Sequence, residues 1–412
     1  PRGIKFPITR RCRRIWFCYR HEAANPMSST HQVAGHTLTL LRNGEEYFPR
    51  LVAAIDDAVK TIYLETYIYA ADASGQLISA ALKRAANRGV LVRLMLDGFG
   101  SADLPPAFER ELLEAVVTVL WLRKEAGNFS FRRYHLRRLH RKLALIDGRI
   151  AFVGGINIIK DNPEGMESPR LDYAVQVEGG VVKEIHAAMQ QLWALLSWTN
   201  LKQRGLRKRI RLPAPASQEV VFLVRDNFRH RRDIEHAYLK AIAEATSEII
   251  IANAYFLPGR QFRRALLDRA RAGVRVILLL QGRVEYRLQH YATLAMYDEF
   301  LNAGVEIHEY QASFMHAKVA VVDRKWATVG SSNIDPFSLW LAREANLAVL
   351  DAGFAGSLRD DLMQHINQRS RKILRSGWRE WNVFLWLLMR FSYAFTRVLT
   401  GIIGSAKGRD DI

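Results

Sequence analysis

The same eight-residue pattern, His-x-Lys followed by Asp at its eighth position, occurs twice in this chain of 412 residues. The copies occupy residues 140–147 and 316–323. Ten residues after its Asp, each copy is followed by an Asn that comes two or three residues after a glycine, namely Asn157 and Asn333. Two octets followed by similar segments indicate a duplication, so the chain is expected to fold as two related halves.

The residue types of the octet suit phosphoryl chemistry. An unperturbed imidazole titrates near neutral pH, so one His can attack phosphorus while another protonates the leaving alkoxide. Side chains two residues apart on a strand share a face, which places each His beside the Lys of its own copy. Each ammonium group can then neutralise phosphate oxygens as charge builds. The predicted catalytic residues are His140, Lys142, His316 and Lys318.

Apolar residues separate each Lys from the Asp. Residues 143–146 and 319–322 therefore predict two buried strands. Asp147 and Asp323 complete the catalytic motif and end these strands, and we expect their role within it to be structural.

These residues resemble the paired HKD motifs of the phospholipase D superfamily, and within it the bacterial cardiolipin synthases, over about residues 38–350. The resemblance implies an α/β fold of two homologous domains packed as a pseudo-twofold pair around one active site. It also implies a phosphohistidine intermediate formed without metal or other cofactor, with His140 as the nucleophile. No cluster in the sequence has metal-ligand spacing. Asn157 and Asn333 resemble the family's phosphate-binding asparagines, although Asn after glycine is also a common turn residue.

A nucleophilic imidazole usually has its second nitrogen held by a carboxylate. Each half offers a candidate: Asp172 lies 32 residues beyond His140, and Glu344 lies 28 residues beyond His316. Both open an apolar strand, and the resemblance implies acidic residues in this role. The alternative is an exposed acid at the start of a strand.

Three further residues are weaker candidates for a substrate pocket. Glu65 and Asn253 occupy nearly equivalent strand positions in the two halves, and Tyr255 lies just beyond Asn253. Such side chains at strand ends can line a glycerol pocket, although a purely structural role is the stronger alternative.

Strand and helix patterns alternate in both halves, which predicts an α/β fold with a mostly parallel or mixed sheet. Residues 88–92 align with 272–276, so the repeat is a whole domain. The first half contains predicted strands 36–41, 61–69 and 90–96 and helices 47–60 and 75–88. The second contains predicted helices 233–246 and 260–272 and strands 248–256 and 274–280.

The predicted domain boundaries follow changes in composition. They are a poorly ordered basic extension (1–35), the first domain (36–200), a basic linker (201–217), the second domain (218–370) and a C-terminal segment (371–412). Met27 is a candidate natural start, and no signal peptide is apparent in the extension. Because no Cys follows Cys18, the catalytic body has no disulfide framework, which suits a cytosol-facing location.

The net charge of +19 favours polyanionic partners, either nucleic acid or an anionic lipid surface. A basic segment, residues 132–139, runs directly into His140 and suits either partner. A basic protein without such a partner is the alternative.

The C-terminal segment favours lipid. Residues 381–404 are rich in Trp, Phe and Leu, and on a helix Arg379, Arg390 and Arg397 fall within about 20° of one another. This pattern is typical of a helix lying in the membrane interface, with a spanning helix or a helix packed on the core as alternatives.

The sequence therefore predicts a phosphatidyltransferase on the cytoplasmic face of the bacterial inner membrane, held there as a peripheral or monotopic protein. It would join two phosphatidylglycerol molecules into cardiolipin and release glycerol, with an anionic phospholipid membrane rather than nucleic acid as its partner. The alternative is a phosphodiesterase that hydrolyses phospholipid or nucleic acid. A non-enzymatic lipid scaffold is disfavoured because both His and both Lys are intact.

Overall fold

The computed structural model describes residues 29–405 except 125–137, 164, 167, 202–212, 214, 227–229, 336–341 and 376–382. Several predicted features fall outside the described residues. They are the N-terminal extension up to residue 28 with both cysteines, most of the basic segment before His140, most of the linker, and Arg379.

The first half contains a mixed sheet of eight strands in the order β1-β2-β9-β8-β7-β3-β4-β5. Its parallel part is β3-β4-β5, joined by crossover helices, and the other pairs are antiparallel. The strands are β1 (Thr30–Val33), β2 (His36–Arg42), β3 (Thr61–Thr66), β4 (Leu91–Asp97), β5 (Thr118–Leu122), β7 (Lys142–Ile146), β8 (Ile150–Gly154) and β9 (Tyr173–Glu178). The helices are α1 (Asn43–Asp56), α2 (Ala73–Asn87), α3 (Pro106–Glu114) and α4 (Val182–Leu201).

The second half has the order β10-β16-β15-β14-β11-β12-β13-β17, and the short β6 (Arg138–Leu139) of the first half pairs with β16. Its strands are β10 (Val220–Arg225), β11 (Glu248–Asn253), β12 (Arg275–Gln281), β13 (Glu306–Tyr310), β14 (Lys318–Val322), β15 (Trp326–Gly330), β16 (Ala342–Leu350) and β17 (Ser370–Lys372). Its helices are α5 (Asp233–Glu244), α6 (Arg260–Arg271), α7 (Arg287–Leu294), α8 (Tyr297–Asn302), α9 (Ala352–Arg369) and α10 (Val383–Ser405).

Seven strands of each sheet occupy equivalent places, since β2-β9-β8-β7-β3-β4-β5 corresponds to β10-β16-β15-β14-β11-β12-β13. Both halves keep the same parallel and antiparallel pairings. The predicted α/β fold with two homologous halves is confirmed.

One hydrophobic core is shared by both halves. It contains side chains from both sheets and from helices α4 and α9, including Val175, Ile185, Val319 and Leu358. Helices α1 to α3 pack on the other face of the first sheet, and α5 to α8 on the other face of the second. The sheets therefore face each other across this core.

The Asp of each motif has the expected structural role in its contacts. Asp147 lies in the left-handed region with φ of 52°, and its carboxylate accepts hydrogen bonds from the backbone N–H groups of Val59, Lys60 and Thr61 at 2.7–2.8 Å. Asp323, also at φ 52°, does the same for residues 246–248. Although burial opposes it, these donors hold the pKa of both carboxyl groups below the usual range.

Several predicted boundaries were wrong by a few residues. Residues 30–33 form β1, paired with β2, although they were assigned to the poorly ordered extension. Helix α1 spans Asn43–Asp56 and not 47–60, and at its start a distant carboxylate, Asp161, accepts a hydrogen bond from Gly44 N at 2.8 Å. The strands predicted to reach residues 69 and 256 end at Thr66 and Asn253. Such tertiary partners are not visible in local sequence.

Candidate active site

The two motif histidines are each held by the acid of the opposite half. His140 Nδ1 lies 3.0 Å from Oε2 and 2.9 Å from Oε1 of Glu344. His316 Nδ1 lies 2.7 Å from Oδ2 of Asp172. Each acid therefore pairs with the His of the opposite half and not with the His that precedes it in the chain, an exchange of partners between the halves.

Backbone hydrogen bonds between the halves cause this exchange. His140 N donates to the carbonyl of Arg343 at 3.0 Å, and His316 N donates to the carbonyl of Leu171 at 2.7 Å. In both cases the acceptor is the residue just before the acid. Each His is thus aligned with the opposite acid by the backbone, and the two arrangements are related by the pseudo-twofold axis.

Both motif lysines are buried, with 3% exposure for Lys142 and none for Lys318. Each ammonium group donates to the carbonyl oxygen of the His two residues earlier, at 2.8 Å for Lys142. Burial lowers the pKa of Lys142 to about 7 and that of Lys318 to about 8, although nearby carboxylates oppose the shift. Because an anionic phosphodiester favours the charged amines, substrate binding is expected to restore their protonation.

Burial also lowers the pKa of both imidazoles. For His140 the neighbouring Glu344 opposes the shift. The pKa of His316 falls well below 6.5, because burial is reinforced by Lys318 and Lys142. The lowered pKa values therefore favour the neutral form of both imidazoles at pH 7. With Nδ1–H directed at the carboxylate, the lone pair of each imidazole lies on Nε2.

The two acids lie in different surroundings. Glu344 accepts a hydrogen bond from the Ser331 hydroxyl and pairs in the sheet with Arg225, a buried cation. The residue in the equivalent place beside Asp172 is neutral Asn43, whose side-chain oxygen accepts from Asp172 N at 3.0 Å. Burial raises the pKa of Asp172 to about 6.

A glycine is required beside Asp172. A Cβ at Gly155 would lie 2.3 Å from Asp172 Oδ1, which is too close for any side chain. The glycine that follows the first motif therefore makes room for the carboxylate that orients His316.

Both motif asparagines are buried next to the site, with 5% exposure for Asn157 and 3% for Asn333. Asn157 Oδ1 accepts from Ile68 N at 3.2 Å. This bond fixes the amide and leaves its NH₂ group as the part that can donate to a phosphate. Binding of phosphate by either Asn stays a prediction.

The assignment of Glu65 to a substrate pocket is corrected by its contacts. Both of its carboxylate oxygens are taken by Arg141, the middle residue of the His-x-Lys motif, at 2.8 and 2.9 Å. The pairings of β3 with β7 and of β11 with β14 also make Thr66, not Glu65, the counterpart of Asn253. Glu65 therefore stabilises the start of β7 through its ion pair with Arg141.

The other two pocket candidates lie at the carboxyl end of β11. Asn253 is fully buried, pairs with Lys318 in the sheet, and accepts from Ile334 N at 3.1 Å. Tyr255 lies in the wall of a cleft, and its hydroxyl donates to Glu285. Asn253 thus supports the backbone beneath the site, while Tyr255 lines the cleft beside it.

Tyr67 was not identified from the sequence. Its ring lies 4.9 Å from the imidazole of His140, between centroids, and Lys142 Nζ lies 5.4 Å from the centre of the same ring. The position of Tyr67 directly after β3 is visible in the sequence. That the end of this strand lies next to the first motif is not visible in local sequence.

No group of three or more His, Cys, Asp or Glu side chains within the described ranges is arranged to hold a metal ion. Nor is any helix in this part of the chain long and apolar enough to cross a membrane.

Comparison with known proteins gives the family. Residues 51–193 and 238–368 match the family described as "Cardiolipin synthase, PLD-like domain". The chain belongs to the cardiolipin synthase family of the phospholipase D superfamily. It is 40% identical over 333 residues to cardiolipin synthase B of Escherichia coli (strain K12), which covers 80% of each protein. It is also 28% identical over 395 residues to a probable cardiolipin synthase of Bacillus subtilis, covering 94% of this chain and 76% of that protein.

Solved structures show the same fold. The phosphatidylserine synthase of Haemophilus influenzae matches with a TM-score of 0.67 at 13% identity, covering 89% of this chain and 94% of that one. The polyphosphate kinase of Porphyromonas gingivalis matches with a TM-score of 0.57 at 15% identity, covering 89% of this chain and 53% of that one. At these identities both likenesses show the fold alone.

Proposed function

We propose that this enzyme makes cardiolipin from two phosphatidylglycerol molecules, through a phosphohistidine intermediate, with release of glycerol. The observation that carries the proposal is the two His–acid pairs, in which each His is bonded to the acid of the opposite half. Two imidazoles with Nε2 available, and two buried lysines, belong to one site. The names of the relatives support cardiolipin as the product.

In the first step His140 Nε2 attacks the phosphorus of one phosphatidylglycerol. The N–P bond forms as the bond to the glycerol oxygen breaks, and His316 Nε2–H protonates that oxygen. The phosphate raises the proton affinity of the second imidazole, which is otherwise neutral. Lys142 and Lys318 offset the charge that develops on the phosphoryl oxygens.

In the second step a hydroxyl of another phosphatidylglycerol headgroup gives its proton to His316 and attacks phosphorus. The new O–P bond forms as the N–P bond to His140 breaks, giving cardiolipin. One phosphodiester replaces another, so the exchange requires no nucleotide.

The assignment of His140 as nucleophile depends on the resemblance. The electrostatic surroundings favour His316 as the nucleophile instead, because its pKa is lowered more strongly than that of His140 and a nucleophile must be neutral. Trapping of a phosphorylated peptide containing residue 140 is expected. A trapped peptide containing residue 316 would reverse the two roles.

The direct test is incubation of the full chain with phosphatidylglycerol vesicles in excess chelator, followed by mass spectrometry of the lipids and assay of glycerol. Cardiolipin and glycerol are expected in equal amounts. Phosphatidic acid alone would identify a hydrolase instead. Activity lost in chelator and restored by one divalent ion would contradict the metal-free step.

The pH dependence of kcat/KM should be bell-shaped. The nucleophile must be neutral, and its pKa is lowered, so the acidic limb is expected below pH 6.5. The alkaline limb is expected near pH 7–8, where Lys142 and then Lys318 lose the charge that attracts the phosphodiester. Initial rates at limiting phosphatidylglycerol between pH 5 and 10 measure both limbs. An alkaline limb that stays in place in Lys142→Arg would assign it to another group.

Helix α10 supports attachment to the membrane surface. One face packs on the second half, where Met389 joins the core and Tyr393 accepts a hydrogen bond from Arg263 at 3.0 Å. The opposite face exposes a row of large apolar side chains, namely Leu387, Phe391, Phe395 and Val398. An exposed apolar row on a protein of net charge +19 suits an anionic lipid surface.

The predicted arginine stripe is corrected by this packing. Arg397 Nε donates to Tyr393 Oη at 3.1 Å, so its guanidinium lies against the protein. Arg390 is exposed, and at 100° per residue it stands on the flank of the apolar row. Truncation before α10 would remove Met389 and uncover the core that it packs against, so surface substitutions are the cleaner test.

The double variant Phe391→Glu/Phe395→Glu is expected to bind phosphatidylglycerol vesicles at least about tenfold more weakly, because two large rings no longer enter the interface. Vesicle co-sedimentation measures the effect. The control Val59→Glu/Leu113→Glu makes the same charge change at exposed positions of the first half. Equal binding by both double variants would show that α10 is not the docking surface.

A further inference from the structure

A cleft lies beside the active site in the second half. It lies where β11 and β12 end, and its wall includes Tyr255, Gln281, Glu285 and residues of α7. β14 is antiparallel to β11 and pairs Lys318 with Asn253, so the cleft opens at the same sheet edge as the second motif. Carboxyl ends of parallel strands are common ligand sites.

The cleft is tied to the catalytic segment by a hydrogen bond. Gln281 Oε1 accepts from Met315 N, the residue before His316, at 3.0 Å. The equivalent bond in the first half runs from Leu139 N to Asp97 Oδ2 at 2.7 Å. The two halves are thus alike up to the ends of β4 and β12.

They differ four residues later. In the first half that position is Ser101, which is buried and bonded to the backbone of Tyr67 and Tyr69 at 3.0 Å, so the loop closes on the strand end. In the second half it is Glu285, whose Oε2 accepts from the Tyr255 hydroxyl at 2.6 Å. Its Oε1 makes no hydrogen bond to the described residues, so a carboxylate oxygen is available to a ligand in the cleft.

A carboxylate next to a phosphodiester site repels the phosphate, so this part of the site suits the uncharged end of a substrate. The charge of Glu285 is felt within the catalytic site, where it opposes the effect of burial on the pKa of Lys318. Arg283 also lines the cleft and Lys318 lies nearby, so a ligand cation is opposed even though Asp335 is a second carboxylate in the wall. Hydroxyl groups carry neither a negative nor a positive charge, and they donate hydrogen bonds to a carboxylate.

We infer that Glu285, positioned by Tyr255, binds the glycerol headgroup through the hydroxyl next to the reacting one, and thereby selects a vicinal diol as leaving and acceptor alcohol. This inference rests on the proposed function. The position of α7 agrees with it, because that helix lines the cleft and packs against α10 on its other side. A headgroup at the membrane surface would therefore reach the cleft beside the proposed docking helix.

The test is headgroup exchange by the full chain on phosphatidylglycerol in detergent micelles, with equal concentrations of isotope-labelled glycerol and 1-propanol as competing alcohols. Mass spectrometry gives the ratio of labelled phosphatidylglycerol to phosphatidylpropanol. Glu285→Gln is expected to lower this ratio about tenfold, because a hydrogen bond to a charged acceptor is lost. Asp298→Asn, the same change at an exposed position of α8 outside the cleft, is expected to leave the ratio unchanged.

An unchanged ratio in Glu285→Gln would overturn the inference. If that variant exchanges neither alcohol, Tyr255→Phe is measured in the same way and should lower the ratio in the same direction; no change there would also overturn it. A third arm with ethanolamine tests the charge argument, and selective loss of ethanolamine transfer in Glu285→Gln would assign the cleft to ammonium groups instead.

The exchange ratio separates this inference from the proposed function. A wild-type enzyme that exchanges glycerol in preference to propanol, yet makes no cardiolipin on vesicles, would refute the proposed product and retain the diol site. A wild-type enzyme that makes cardiolipin on vesicles yet exchanges glycerol and 1-propanol equally would refute the diol site and retain the proposed product, and one that makes no cardiolipin and exchanges neither alcohol would overturn both.

Discussion

Replacing either His140 or His316 with Ala is expected to reduce cardiolipin formation by at least about a thousandfold, because nucleophilic attack and proton transfer each lose their group. Both imidazoles belong to one site, so neither variant retains a complete second site. Lipid mass spectrometry after incubation with phosphatidylglycerol vesicles measures the loss. Mixing the two variants is expected to restore nothing, since each chain provides both halves of its own site.

His236→Ala is the matched control, because His236 is an exposed residue of α5. It should form cardiolipin at the wild-type rate. Product formation near that rate by His140→Ala or by His316→Ala would refute the shared site. Circular dichroism of each variant verifies that the fold is retained.

The second large effect is expected from the two acids. Glu344→Gln and Asp172→Asn keep the size of each side chain but remove the charge that fixes the Nδ1–H tautomer of the opposite His. Losses of about 10²- to 10⁴-fold in kcat are expected, as for other carboxylates that orient a catalytic imidazole. KM should change much less, because neither acid faces the lipid directly.

The crossed arrangement has its own readout. In protein labelled at His, the Nδ1 proton of an imidazole bonded to a carboxylate gives a separate downfield resonance. Glu344→Gln should remove that of His140, 204 positions away in the chain, and leave that of His316. Asp172→Asn should do the reverse. Loss of the resonance of the same-half His in either variant would contradict the crossed pairing.

Much of the fold could be predicted from the sequence. The alternation of strands and helices, and the repeat of the octet with its tail, require only local patterns: apolar runs for buried strands, and period two for the shared face of His and Lys. The Asp that ends each motif strand accepts hydrogen bonds from backbone N–H groups 75 to 88 residues away in the chain, which local sequence does not show. Boundaries were less exact where a distant group, such as Asp161, completes a helix start.

The sequence by itself therefore determined the two halves, their α/β class and the residue types of the site. Only the tertiary structure decided that Glu344 holds His140, that Asp172 holds His316, that Glu65 is taken by Arg141, and which face of α10 is exposed. The physical reason is that spacing along a chain fixes which side chains share a face of one strand or helix. Contacts between residues 76 to 204 positions apart depend on how strands pair and how two sheets pack across a shared core, and a linear pattern does not encode that packing directly.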